Sequence, residues 1–361
     1  MNEMQIKSFF FFLLIITFFS CEKDSETPPA PAERTVIVYM AADNNLANDA
    51  LRNIRQMQRG YTEAGVHLVV FVDTDKDTPL LLKIRENGCD TVKTFPEMNT
   101  ANPQTLNAVL QECVKRYPAH SYGLVLWSHA SSWLPVGARV QSFGKDNEAE
   151  MNIPDLSAAL PVHFDFIVFD ACLMGSVEAL YELRGKTDYV IASSAETIAD
   201  GFPYAEIVPD LLQNNLQKIA ETYFDFYNQK TNAERSATIA LIDVRELEAL
   251  AAETKKLFIE NLPATINRTD VQRLNAGGEA YQFDLLDFIN KTFPNAYKEN
   301  FTAQLNKTVL YKAHTPQLLG MYDINTHCGL ACYIPIDEQQ NLNNYYKTLQ
   351  WYNDAGIFRL F

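Results

Sequence analysis

Basic residues are in short supply: 30 Lys and Arg face 45 Asp and Glu, a formal net charge of −15 over 361 residues. Nucleic acid is held by basic surfaces, so that class of partner is excluded. No Cys-x-x-Cys pair exists, which removes the usual zinc signature; His314, His327, Cys328 and Cys332 read as core packing, with Cys332 inside a strand. Ser128 has no Gly-x-Ser-x-Gly elbow around it, which leaves a serine hydrolase without support. No internal repeat is visible. The apolar run Phe9–Phe19 is too short for a permanent membrane-spanning helix. What is present is 47% hydrophobic and 12% aromatic, too apolar for disorder and enough for one large globular domain or two smaller ones.

The amino terminus carries a different message. Lys7 precedes the apolar run, which closes on Thr17-Phe18-Phe19-Ser20-Cys21. A charged start, a short apolar stretch and small residues before a cut describe a secretion signal. The closing residues resemble a bacterial lipobox, with Phe18 where leucine is usual and Cys21 as the lipidated first residue of the mature chain. Glu22, Lys23, Asp24 and Glu26 are similar to the acidic tracts that send some lipoproteins to the cell surface. The expectation is a leader over 1–20 and a lipid-anchored tether over 21–34, extended by Pro28, Pro29 and Pro31. The chain would then sit on the bacterial envelope, at the outer membrane or cell surface. Beyond Cys21 there are five cysteines, Cys89, Cys113, Cys172, Cys328 and Cys332. An odd number in an exported protein leaves one thiol without an internal bridge, a candidate nucleophile.

From Thr35 onward, short apolar runs alternate with helical patterns. Strands are expected at 36–40, 67–72, 122–127, 164–169 and 189–192, and helices at 46–58, 103–116, 153–160 and 174–184. Leu80–Phe95 reads as a hairpin turning at Asn87-Gly88. Unbroken apolar strands separated by helices predict a mainly parallel sheet covered on both faces. Past residue 235 the rhythm changes, with strands expected at 238–242, 308–311 and 329–334. The expected division is a main domain over 35–235 and a C-terminal α+β subdomain over 236–361, packed on the same sheet. Sites in such sheets gather at the carboxyl ends of strands, after Trp127, Phe169 and Ala192.

Two of those ends carry chemistry. Cys172 follows the strand ending at Phe169 and is expected to open a helix, whose free N–H groups would favour its thiolate. His129 follows the strand ending at Trp127 and can move a proton near neutral pH. Asp170, two residues before Cys172, would share its side if the strand continued; its carboxylate suits a guanidinium or ammonium. The Asp43-Asn44-Asn45 run reads as a helix cap, with oxygens that would also suit a cation.

Around these residues the chain resembles the clostripain family of cysteine peptidases, relatives of gingipains, caspases and legumains. The resemblance extends to Met40–Leu46, Ser193–Glu196, Gly201–Tyr204 and Gly329–Pro335. It implies a caspase-like α/β/α sandwich and a His129/Cys172 dyad acting through a thioester. It also implies an Asp170 pocket that selects Arg or Lys before the cut, and an oxyanion hole from the backbone N–H groups of Ala130 and Cys172. Asp200, in the loop before Gly201, borders that pocket or makes a turn.

The sequence departs from the family at one place. His129-Ala130-Ser131-Ser132-Trp133 stands where the pattern is His-Gly-x-Gly-Trp. A positive φ at Ala130 would strain the site, and the alternative is then a weak or inactive surface lipoprotein that keeps the fold as a binding module. Family members are often matured by a cut between the catalytic His and Cys. Lys145, in the polar stretch Ser142–Glu150, is the expected site on an exposed flexible loop, with Arg139 next. The residues call for no cofactor, while the resemblance allows a calcium requirement.

Overall fold

Val36 through Ala42 are all fully buried, and the strand they form feeds two cores. Val36, Val38 and Met40 pack with Ile54, Ile207 and Tyr223 on one face. Ile37, Tyr39 and Ala41 pack with Leu106 and Leu156 on the other. Alternation of side chains along a strand sends successive apolar residues to opposite faces, so an unbroken apolar run marks a strand covered twice.

The computed structural model describes residues 30–62, 65–134, 143–146 and 149–360. In chain order the strands are β1 (Ala32–Ala42), β2 (His67–Thr74), β3 (Asp77–Arg85), β4 (Gly88–Thr94) and β5 (Ala119–Trp127). A short pair follows, β6 (Phe143–Asp146) and β7 (Ala149–Met151), then β8 (Phe164–Asp170) and β9 (Thr187–Ala192). β10 (Thr238–Asp243), β11 (Phe283–Asp284) and β12 (Val309–His314) complete the set needed here. Nine of them join in the order β12-β10-β9-β8-β5-β1-β2-β3-β4. The centre, β9 to β2, is parallel; both wings are antiparallel.

Helices cover both faces. α1 (Ala47–Gly60) lies on the same side as α5 (Tyr204–Gln213) and α6 (Leu216–Asn228). The opposite face carries α2 (Pro103–Arg116), α3 (Ile153–Ala159) and α4 (Val177–Tyr181). α2 starts where its sequence says it should: Asn102 accepts from the N–H groups of Gln104 and Thr105, and Pro103 takes the first turn. The result is a caspase-like α/β/α sandwich.

Several sequence expectations shift. β1 begins at Ala32, whose N–H donates to Pro118 O at 2.9 Å, so residues 32–34 belong to the sheet and not to a tether. Arg34 holds that entry through Leu212 O and Asp165. The hairpin turns over Glu86-Asn87, with Arg85 and Gly88 already in register. The strand expected at 329–334 shrinks to Ala331–Cys332, paired with β11 outside the main sheet. β10 and β12 extend the main sheet, and Ile242, Leu250, Phe288 and Trp351 share the core of Leu106 and Leu156. The leader, Cys21 and Arg139 lie outside the described residues.

Candidate active site

Parallel pairing of β5 with β8 sets Trp127 opposite Asp170. The Ser128 N–H continues the ladder to Asp170 O at 3.4 Å. His129 and Cys172 therefore each come two residues after one register pair, just past the ends of two adjacent strands, at the carboxyl edge.

The backbone leaves strand geometry after Asp170, and α4 begins only at Val177. Cys172 thus stands five positions before α4 and does not open it, contrary to the sequence expectation. Cys172 packs against the face of Ala171 and Leu173, whereas Asp170 is in line with Phe166 and Val168 of the opposite core. Burial pushes the thiol up from its ordinary value; contacts from Thr197 pull the other way. The Thr197 N–H approaches Sγ at 3.3 Å and the Thr197 hydroxyl at 3.5 Å. The bend is stitched to the segment after β9: Leu173 N–H donates to Ala195 O at 2.9 Å and Gly175 N–H to Ser193 O at 2.7 Å. Only glycine fits at 175, because a Cβ there would meet Ser194 N at 2.9 Å.

His129 is half-buried, and its Nε2 lies 2.8 Å from Oδ1 of Asn45. An amide oxygen only accepts, so Nε2 carries the proton and Nδ1 is left as the basic nitrogen. Burial first, then the charge of Lys145, lower the imidazole pKa. Burial thus disfavours the charged form of both groups, the imidazolium of His129 and the thiolate of Cys172.

β6 passes beside this histidine and is no loose loop. Gly144 N–H donates to His129 O at 3.0 Å. Lys145 N–H donates to Ser128 Oγ, and its carbonyl accepts from Asn44 Nδ2 at 2.7 Å. Phe143 and Asp146 are buried. The sequence reading of Ser142–Glu150 as exposed and flexible is corrected for 143–146 and 149–150: polarity there is absorbed by backbone pairing at the sheet edge.

The His129 loop answers the question raised by its missing glycines. Ala130 does not have a positive φ; Ser132 does, at 68°. Ser132 is fully buried, and its hydroxyl sits 2.6 Å from that of Ser176, tying the His loop to the Cys segment. Leu173, next to Cys172, has φ 66°. Such strain persists where surrounding structure enforces it, and it collects at working sites. Among the described residues, no group takes the backbone N–H of Ala130 or of Cys172.

Asp170 is buried at the end of β8. Its Oδ2 accepts from Tyr204 OH at 2.8 Å and from Phe202 N–H at 3.2 Å. Burial raises its pKa to about 6, against the lowering effect of those donors. Gly201 lies on it with φ 69°, where a Cβ would come within 2.6 Å of Oδ2. Asp200 is exposed instead and pairs with Arg52 at 2.9 Å, so its charge is already answered.

Asn44 Oδ1 accepts from Leu46 N–H, and α1 has no side-chain cap, so the Asp43-Asn44-Asn45 run serves a turn and His129 rather than the helix. Among the described residues no three or more His, Cys, Asp and Glu side chains converge to hold a metal ion. His327, Cys328 and Cys332 are buried, as core packing requires.

The family model of the clostripain family matches residues 38–355. The chain belongs to the clostripain family. It is 25% identical to clostripain of Hathewaya histolytica over 90% of this chain and 80% of that one. It is similar to an inactive zymogen protease of the same class from Parabacteroides distasonis. That likeness is 31% identity and TM-score 0.79, over 91% of this chain and 99% of the other. A secreted cysteine protease from Bacteroides thetaiotaomicron, solved with an irreversible peptide inhibitor, is 29% identical with TM-score 0.80 over 90% and 99%. The clostripain-family chain is accordingly a cysteine protease, a hydrolase whose substrates are peptides or proteins. Asn45, Thr197 and Tyr204 are the site residues that sequence reasoning missed as such. Asn45 and Tyr204 lay inside segments that carried the resemblance, and Thr197 directly follows another.

Proposed function

We propose that the peptidase works through a His129/Cys172 dyad and cleaves after Arg or Lys. The observation that carries the dyad is the register: both side chains extend two residues past the Trp127–Asp170 pair of adjacent parallel strands. In the reaction, His129 Nδ1 takes the thiol proton as Cys172 Sγ attacks the carbonyl carbon. The N–H groups of Ala130 and Cys172 receive the oxyanion. His129 then protonates the leaving amine, and water hydrolyses the thioester. Asn45 keeps the imidazole in the tautomer this sequence of steps needs.

Selection of a basic side chain rests on Asp170, a carboxylate buried beside Gly201 and steadied by Tyr204. Asp200, held by Arg52, contributes less. Lys145, beside His129, is the proposed self-cleavage site, and its strand must detach before its bond can be cut. Export and attachment through a lipidated Cys21 rest on the lipobox resemblance alone. Among the described residues no helix is long and apolar enough to cross a membrane.

The test is a fluorogenic peptide series differing only at the residue before the cut. Turnover of Arg and Lys peptides, with Ala, Leu and Asp peptides silent, is the expected result. Equal cleavage of all would remove the specificity assignment, and no cleavage of any would favour the binding-module alternative. Adding a chelator to the same assay, with calcium restored afterwards, checks the metal requirement.

A further inference from the structure

Without a helix terminus at Cys172, something else must favour sulfur carrying negative charge. Burial, together with the fields of Glu196 and Asp170, works against the thiolate. The groups that work for it come from one residue outside the dyad: the backbone N–H of Thr197 at 3.3 Å and its hydroxyl at 3.5 Å from Sγ. Both can donate to sulfur, and hydrogen bonds to a charged form stabilise that form.

Thr197 is itself held from a distant part of the chain. The carboxylate of its neighbour Glu196 accepts the N–H of Ala276 at 2.8 Å and of Gly277 at 2.9 Å. The Arg273 guanidinium gathers the carbonyls of Ala276, Gly277 and Gly278 behind them, at 3.2, 3.2 and 2.8 Å. Ala195, two residues before Thr197, is bonded to Leu173 on the other side. The donors are thus fixed relative to the sulfur before substrate arrives, which is what preorganised stabilisation demands.

Resting on the reading of Cys172 as nucleophile, we propose that Thr197 is a positioning residue, holding the Cys172 sulfur and stabilising its thiolate through N–H and hydroxyl donors. Glu196 and the 276–277 turn keep Thr197 in place. Thr197→Val removes the hydroxyl and keeps the shape and the N–H; Thr197→Ser restores the hydroxyl.

The experiment is iodoacetamide labelling of the full chain across a pH series, followed by mass spectrometry at the peptide that carries Cys172. T197V should raise the labelling midpoint by about one unit and slow labelling at pH 7 about tenfold, the loss expected for one hydrogen bond to a charged group. T197S should return both to wild type. An unchanged midpoint in T197V overturns the proposal, and so does a shift that serine fails to reverse. If T197V loses its cooperative melting transition, Thr197→Ala carries the same comparison with the same two outcomes. Labelling reports on the sulfur whether or not it is the nucleophile. Failure of the dyad reading shows separately, as turnover retained by Cys172→Ala.

Discussion

Nε2 of His129 rests 2.8 Å from Oδ1 of Asn45, a residue 84 positions earlier in the chain. An amide oxygen accepts only, so this contact places the ring's proton on Nε2. Asn45→Ala should lower kcat about ten- to a hundredfold, as misplacement of a catalytic group does, with KM little changed. Asn45→Asp should raise the imidazole pKa and move the acidic limb of the kcat/KM profile upward. Steady-state kinetics from pH 5 to 9 check both, and an Asn45→Ala enzyme with wild-type kcat would remove the orienting role.

Cys172→Ala should reduce turnover to background. The small side chain lies at the margin of the core, so the melting temperature should move by only about 2 °C. Calorimetry beside the peptide assay separates lost chemistry from lost folding.

Asp170, pushed to about 6 by burial, becomes a carboxylate as pH rises through that value. Preference for Lys over a neutral residue should therefore grow between about pH 5 and 7. In Asp170→Asn the preference should fall by about 1.5–3 kcal/mol of transition-state binding and lose its pH dependence. Ratios of kcat/KM for paired substrates give the answer; persistence of the preference would move selectivity to Asp200.

Asp73, next to last in β2, is buried with no side-chain partner for its carboxylate, and the backbone N–H of Thr74 alone favours its charged form. Burial, with the charges of Glu97, Asp146 and Asp43, raises it to about 8. The native state then holds a proton that the unfolded chain releases near 3.8, so the Asp73 contribution to stability is fully present below about pH 4 and is lost as pH rises toward 8. Asp73→Asn should remove that slope and exceed wild type by about 2–4 kcal/mol at pH 8 and above. Urea midpoints measured from pH 4 to 9 decide it: parallel curves for the two proteins would show that Asp73 keeps an ordinary pKa.

Lys145 is bonded through both its N–H and its carbonyl, to Ser128 and Asn44. Self-cleavage there should be slow and should hasten under mild denaturant, which frees the strand. Wild-type protein should run as two fragments on a denaturing gel, while Lys145→Ala and Cys172→Ala stay single chains. A fully active, uncut wild-type chain would end the maturation idea and leave the peptidase assignment standing.

The parallel centre of the sheet was readable from runs such as 36–40 and 164–169, because a strand buried on both faces has no room for polar alternation. The order of His129 and Cys172 after apolar runs likewise placed both on the carboxyl edge, since parallel strands end together. Tertiary structure decided the rest. That α4 starts at Val177, not beside Cys172, follows from the bonds of Leu173 and Gly175 to residues after β9, which no local propensity encodes. The positive φ in the His loop falls on Ser132 and not on Ala130, and the Ser132 hydroxyl meets Ser176 across 44 positions. Asn45 reaches His129, and Thr197 reaches Cys172, only because the strands that precede them are neighbours in the sheet. Side-chain contacts between such strands depend on register and loop path, and a linear pattern of residue types carries neither.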